Sequence, residues 1–352
     1  GRPRGVLSTH RATDELFRPG GLPLRLDSTT VMAQAAPPSW DALTLELWGP
    51  LRNGGTSVLI DGDHLTPAAL RHHIARDGLN TLWLTSSLFN LFVDEDIGSF
   101  AGSTQLAIGG ERLSPGHVAR FVRTYPDIRL FNGYGPAENC VFSTMHRITL
   151  ADCVGGADIP IGRPVAGTTV FVLDGDRPCG TGEIGELCIA GTRLARGYLG
   201  DPCRTRERFR AVDIAGLRVQ LYRTGDLGRL DSDGVYHFHA RLDRQVRVHG
   251  HRVEPVEIER QAGGHPAVAQ CVALPETDDH GTVTGLVAAY RTTAGLAPGE
   301  LRAYLAARLP AYLLPDRLVE VARMPLLDNG KLDPTTLRDL LPAELGTADR
   351  RR

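Results

Sequence analysis

Twice in the first part of the chain a helix opens on a capping hydroxyl and a proline, then runs into a buried strand. In "LTPAALRHHIARDG" (65–78), Thr66 is placed to cap the helix. Pro67 takes the first helical position and Gly78 the left-handed position just past the end. "NTLWLTS" (80–86) then reads as a buried strand. The pattern repeats in "LSPGHVARFVRTYPD" (113–127), with Ser114 as cap and Pro115 next, and with Val118, Phe121, Val122 and Tyr125 as one apolar stripe. "IRLFNGYGP" (128–136) follows as a strand that ends in a glycine-rich loop. Strand, helix and strand in this order predict a parallel sheet of right-handed crossover units.

The texture then changes twice. Short β-rich runs, "TTVFVLD", "GELCIAG" and "GVYHFHARL", are separated by Gly, Asp and Pro turns. They predict a small antiparallel, barrel-like region beside the parallel sheet. Beyond them "AVAQCVALPE", "GLVAAYRTT" and "PGELRAYLAARLP" predict a compact α+β domain. The expected organisation is a large α/β unit over 1–242, divided into an α/β part (1–153) and a β-rich part (154–242), then a small unit over 243–352.

A formal net charge of −2 offers no electrostatic footprint for nucleic acid or an anionic membrane. No apolar run approaches the ~20 residues a spanning helix needs. The six cysteines form no C-x-x-C pair and no zinc spacing, so reduced thiols in a cytoplasmic protein are expected. "GTGEIG" (180–185) has the spacing of a dinucleotide fingerprint, but a strand rather than a helix follows it, so it reads as a turn.

Three stretches carry chemistry. "FNGYGPAEN" (131–139) lies where ligands bind in an open α/β sheet, outside the carboxyl end of a strand. There Tyr134 can offer a ring face to a base, and Glu138 can hold a divalent cation through oxygen. "YRTGDL" (222–227) puts Asp226 in a turn. Further on, "NGKLD" (329–333) holds Lys331, the single lysine among 39 basic residues. A position that keeps lysine against so strong an arginine bias points to a need for a compact ammonium on a flexible stem.

Taken in order, "GRPRGV" (1–6), "WDALTLELWGPL" (40–51), "NGYGPAE" (132–138), "GELCIAGTRLARGYL" (185–199), "YRTGDL" (222–227), "RLDRQVRVHGHRVEPVEIE" (241–259), "LPAYLLP" (309–315) and "NGKLD" (329–333) make the chain resemble the adenylation domains of nonribosomal peptide synthetases. These belong with acyl-CoA synthetases and luciferases among adenylate-forming enzymes. The resemblance implies ATP and Mg²⁺ as cofactors and an amino acid as substrate. It also implies a carrier protein with a phosphopantetheine arm as partner, and leaves room for a small activator protein. Carried over residue by residue, Lys331 is the catalytic cation between carboxylate, α-phosphate and ribose. Asp226 holds the ribose, with Arg241 nearby. Tyr134 and Phe238 pack on adenine, Asn132 touches its edge, and Gly135 belongs to the same loop. Glu138 is the magnesium ligand. Asp243 is the hinge, and the loop around Gly250 lines the pantetheine tunnel.

Asp41, after the aromatic Trp40, is the implied partner of the substrate ammonium. The implied side-chain pocket is Ala42, Leu45, Leu84, Ala107, Gly109, Gly133, Val141 and Phe142, which predicts an apolar amino acid, with a valine-like side chain first. The family's phosphate loop and the long stretch before it are expected upstream of "GRPRGV". Arg4, Ala137, Ala240, His249 and Val256 depart from the family pattern. An acyl- or aryl-CoA ligase, or a degenerate module kept for interactions, are the alternative readings.

Overall fold

The computed structural model describes residues 5–61, 65–153, 158–242, 246–248, 250–278, 283–292, 295–325 and 333–341. Its contacts divide the chain into two compact units, Arg2–Asp243 and Arg244–Arg352.

Among the described residues the first unit opens with α1 (His10–Phe17) and then carries a seven-stranded sheet. Its strands are β1 (Val31–Gln34), β2 (Thr56–Leu59), β3 (Thr81–Thr85), β4 (Gln105–Gly109), β5 (Arg129–Tyr134), β6 (Thr144–Arg147) and β7 (Arg163–Pro164), in the order β2-β1-β3-β4-β5-β6-β7. The pairings through β5 are parallel, and β6 and β7 add on antiparallel. The crossovers carry α2 (Ala42–Leu51), α3 (Pro67–Asp77), α4 (Ser86–Asp96) and α5 (Pro115–Thr124). Helix α3 forms as its ends dictate: Thr66 Oγ1 accepts from Ala69 N at 3.2 Å, and Gly78 stops it at φ 68°. Ser114 precedes α5 at the cap position, but its hydroxyl bonds to His117 Nδ1 at 2.7 Å instead of capping the backbone.

Alternation along the strands assigns the two faces of this sheet. Leu82 and Leu84 of β3, Leu106 and Ile108 of β4 and Leu130 of β5 pack with Leu70, Phe89, Phe92, Val118 and Phe121 of α3, α4 and α5. Trp83, Ala107 and Phe131 point the other way, toward Ala12, Leu16 and Phe17 of α1 and Ala42 and Leu45 of α2. Phe121 is fully buried, with Phe100 and Phe89 edge-on at 5.1 and 5.3 Å. Truncating a phenylalanine so placed costs about 3–5 kcal/mol.

The second sheet is antiparallel. It is built from β8 (Thr168–Asp174), β9 (Arg177–Pro178), β10 (Gly185–Gly191), β11 (Phe209–Ile214), β12 (Leu217–Leu230) and β13 (Tyr236–Arg241), with α6 (Pro202–Arg208) before β11. "GTGEIG" is the turn into β10. The 14-residue β12 pairs with β11 through its first half and with β13 through its second, while β10 lines its other edge.

The second unit begins with the hairpin β14 (Val246–Val248) and β15 (His251–Val253), followed by α7 (Pro255–Gly263). Then come β16 (Val268–Thr277), β17 (Val283–Thr292), α8 (Pro298–Ala306), β18 (Arg317–Glu320) and α9 (Pro334–Leu340). β16 pairs antiparallel and β18 parallel with β17. One face of this sheet packs with Ile258 and Ala262 of α7 and Leu301 and Leu305 of α8. The other packs with Leu337 of α9. The expected fold class, a parallel α/β sheet with a β-rich companion and a compact α+β unit, is the one observed.

Candidate active site

Three parallel strands end side by side. Thr85, Gly109 and Gly133 are in register across β3, β4 and β5. A Cβ on Gly109 would sit 2.1 Å from Gly133 O, and one on Gly133 would lie 2.4 Å from the Phe142 ring. Both glycines therefore let neighbouring groups approach the sheet more closely than any side chain permits. Trp83, Ala107 and Phe131 form a row that faces Ala42, Leu45, Val141 and Phe142. The Trp83 and Phe142 rings meet edge to face at 5.2 Å. The result is an apolar, buried cluster packed against glycine backbone, bounded by α2 and by the chain after β5.

Most of the residues expected from the sequence to line a side-chain pocket lie together: Ala42, Leu45, Ala107, Gly109, Gly133, Val141 and Phe142. Leu84 does not join them. Alternation along β3 turns it to the opposite face, among Leu82, Phe89 and Ile108, and gives its expected place to Trp83. Trp83 is buried and brings an indole N–H with no acceptor among the described residues. Its position in a period-2 strand is the sequence signal that locates it.

Asp41 stands immediately before α2, half-buried, in helical conformation and without a side-chain capping bond. It lies near Cys140, whose thiol burial pushes up; Arg193 opposes that rise and the Asp41 charge adds to it. Farther along α2, Glu46 is buried, and its Oε2 accepts the N–H groups of Ala35 and Ala36 at 2.9 and 2.7 Å. This ties the helix to the end of β1. Burial pushes that carboxyl up to about 7, against the pull of the two N–H donors.

A polar cluster occupies the join between the two sheets of this unit. Asp226 does not sit in the turn its sequence suggests; it lies within β12, buried, beside Gly225 at φ 75°. Glu186 fixes the kink: its Oε1 accepts from Gly225 N at 2.9 Å, and its Oε2 from Arg223 Nη1 at 2.6 Å. Tyr134 Oη donates to Asp226 Oδ2 at 2.6 Å, and Arg241, the Cα partner of Asp226 on β13, pairs with Oδ1. Burial first, and then the Asp226 charge, push the Tyr134 phenol well above its ordinary range. Tyr134 and Phe238 pack at the edge of one apolar cluster with Ile161, Val172 and Tyr236. Asn132 is buried and donates to Pro160 O at 2.8 Å. Gly135 is required sterically, since a Cβ there would meet Val141 O at 2.5 Å.

Glu138 sits in the short turn Ala137–Asn139, 3% exposed, and its Oε1 accepts from Tyr198 Oη at 2.6 Å. A buried carboxylate is the hard oxygen donor that magnesium takes. Glu138 supplies one such donor; among the described residues no group of three or more His, Cys, Asp or Glu could hold a metal. In the second unit Gly250, at φ 82°, turns the β14–β15 hairpin. Lys331 and Asp243 lie outside the described residues. Among those described, no helix is long and apolar enough to cross a membrane.

The sequence matches the family of AMP-binding enzymes over residues 1–199 and the AMP-binding enzyme C-terminal domain over 257–331. It is 36% identical to gramicidin S synthase 2 of Brevibacillus brevis over 99% of this chain and 8% of that protein. It is 34% identical to tyrocidine synthase 3 of Brevibacillus parabrevis over 96% of this chain and 5% of that protein. The chain therefore spans a small part of the length of these relatives. Among solved structures it is similar to holo-PA1221, an NRPS protein containing adenylation and PCP domains bound to a vinylsulfonamide inhibitor. That match has a TM-score of 0.87 and 36% identity, over 98% of this chain and 59% of that one. A second structure of PA1221 matches with TM-score 0.83 and 35% identity, over 97% and 67%. The chain belongs to the AMP-binding enzymes and, within them, to the adenylation domains of nonribosomal peptide synthetases.

Proposed function

We propose that this chain activates an apolar α-amino acid with ATP and passes it to the phosphopantetheine thiol of a carrier protein. In the first half-reaction a carboxylate oxygen of the amino acid attacks the α-phosphorus. The bond from that phosphorus to the bridging oxygen breaks, and aminoacyl-AMP and pyrophosphate result. In the second the thiol, losing its proton to solvent, attacks the acyl carbon, and AMP leaves. Two anions must approach each other in the first step, so positioning and charge neutralisation carry most of the catalysis.

The single observation that carries this reading is the apolar cluster packed against Gly109 and Gly133, with Asp41 at the start of its flanking helix; the amino-acid side chain is proposed to bind there. Asp41 takes the α-ammonium, and Ala42, Leu45, Trp83, Ala107, Val141 and Phe142 take the side chain. Apart from the Trp83 indole N–H, the lining offers a charged or amide side chain no partner, at a cost of about 1–3 kcal/mol. Valine-like substrates rank first. The Tyr134–Asp226–Arg241 cluster supports a nucleotide beside that site: Asp226 accepts from the ribose hydroxyls, and the Tyr134 and Phe238 rings offer apolar surface to adenine. Glu138 would hold magnesium, which supplies charge neutralisation on the phosphates when bound. Lys331 would bring its ammonium to the carboxylate and α-phosphate, with Asp243 as the hinge between 1–242 and 243–352 and Gly250 near the arriving pantetheine. The adenylation–PCP composition of PA1221 supports the carrier partner. A reaction drawing on ATP suits the cytoplasm.

Amino-acid-dependent pyrophosphate exchange by the full-length protein tests this reading. An aliphatic or small aromatic amino acid should give the highest exchange. No exchange with any amino acid, together with acyl-AMP formation from a fatty or aryl acid, would replace it with the CoA-ligase reading.

A further inference from the structure

Arg193, between β10 and α6, is fully buried at 0% exposure. Its hydrogen-bond partners among the described residues are neutral. Nη2 donates to Phe142 O at 2.6 Å and also to Thr168 Oγ1, Nη1 donates to Cys140 O at 3.3 Å, and Nε donates to Thr168 Oγ1 at 3.2 Å. A buried cation hydrogen-bonded to neutral oxygens is costly, and burial pulls this guanidinium down to about 10, against the opposing pull of the Cys140 thiol and the Glu15 carboxylate. What it grips is unusual in turn. Cys140 and Val141 are consecutive non-glycine residues at φ 58° and 62°. Phe142 N donates back to Cys140 O at 2.9 Å, so a β-branched residue centres a tight turn closed from i to i+2 at positive φ, the strained member of the γ-turn pair. Left to itself such a turn relaxes. The fork of Arg193 holds the carbonyls on both sides of Val141.

We propose that Arg193 is a positioning residue that sets amino-acid specificity by clamping the Cys140–Phe142 turn, so that Val141 and Phe142 face the proposed side-chain site. The inference rests on the site described under Proposed function. Arg193 itself does not touch the substrate. Thr168 is its second anchor, shared with Asn139, whose Nδ2 donates to Thr168 Oγ1 at 3.1 Å.

The test uses the full-length protein and the variants R193Q, R193K and T168V, with pyrophosphate exchange measured against the preferred amino acid, its neighbours differing by one methylene, and ATP. The amino-acid KM should rise roughly tenfold or more in R193Q and selectivity between the neighbours should narrow, since one methylene is worth about that much discrimination. The ATP KM should rise less than the amino-acid KM, because the clamped carbonyls flank the side chains of Val141 and Phe142, whereas Gly135 of the nucleotide loop meets the turn only through its backbone. R193K keeps the charge but not the two-carbonyl fork and should fall between. If R193Q does not fold, R193K and T168V carry the test. Amide hydrogen exchange over residues 140–143 gives a reading independent of turnover and should quicken in R193K. Unchanged exchange over that segment, or amino-acid and ATP KM values rising together, would overturn the clamp. Absence of exchange activity in the wild type with a quickened segment in R193K would instead fault the substrate reading.

Discussion

The Tyr134 phenol and the Asp226 carboxylate meet at 2.6 Å, joining the last parallel strand of one sheet to the long strand of the next. Tyr134 therefore has two separable parts: a hydroxyl that orients Asp226 and a ring that offers apolar surface. Tyr134→Phe should raise the KM for ATP by about two- to tenfold, the worth of one hydrogen bond, with the amino-acid KM unchanged. Tyr134→Ala, losing the ring too, should be worse. Equal ATP KM values for wild type and Tyr134→Phe would show that Asp226 needs no such support.

Asp41→Ala should cost about 1.5–3 kcal/mol in binding the amino acid, the worth of a hydrogen bond to a charged group at a half-buried position. It should also shift preference toward the des-amino acid with the same side chain. Competition between the two acids in adenylate formation reads this directly. An unchanged preference would detach Asp41 from the ammonium.

Side-chain selectivity should follow the proposed site. Trp83→Ala opens its wall and should move the best substrate to a larger apolar side chain, while Trp83→Phe, which keeps an aromatic wall without the indole N–H, should keep the apolar ranking. A screen of the twenty amino acids by pyrophosphate release checks both. A charged or amide side chain at the head of the wild-type ranking would contradict the lining.

Glu46 predicts a pH dependence of stability. Its folded-state pKa of about 7 exceeds the ordinary 4.5, so between these values the folded protein holds a proton that the unfolded chain has lost. The group's contribution is complete below pH 4.5 and is lost as pH rises through 7, by on the order of 3 kcal/mol at most. Glu46→Gln keeps an oxygen for Ala35 and Ala36 and should flatten that slope. Urea midpoints from about pH 5 to 8 compare the two, and parallel slopes would mean the carboxyl is already ionised across the range.

Lys331→Ala should lower adenylation by about 10²–10³, as for the loss of one transition-state charge stabiliser. Lys331→Arg should be nearly as damaging, because a planar fork does not reproduce a point charge. Single-turnover adenylate formation is the measurement, and near-normal rates in Lys331→Arg would remove the argument from the solitary lysine.

The legible parts of the chain are those ruled by local chemistry. Thr66, Pro67 and Gly78 delimit α3 by capping and backbone preference alone. The alternating Val, Phe and Leu of "TTVFVLD" appear as β8 without shift. The ordered motifs name side chains that the fold does bring together, Ala42, Leu45, Ala107, Val141 and Phe142, but Leu84 lies among other neighbours because a one-residue slip in a strand reverses the face. Asp226 escapes because glycine beside aspartate signals a turn, whereas Glu186, far back in the sequence on β10, captures Gly225 inside a strand. Arg193 has no signature at all: in "TRLARG" it reads as a solvated charge, and only the fold brings it under the Cys140–Phe142 turn.

The two glycines beneath the apolar cluster obstruct change in different ways. At Gly109 an added methyl meets the peptide oxygen of Gly133, which is pinned by the sheet. At Gly133 it meets the Phe142 ring, a side chain that substitution can shrink. The floor therefore has one frozen tile and one exchangeable tile. Reprogramming this pocket, in the laboratory or over generations, would proceed through paired replacements at 133 and 142 and leave 109 untouched.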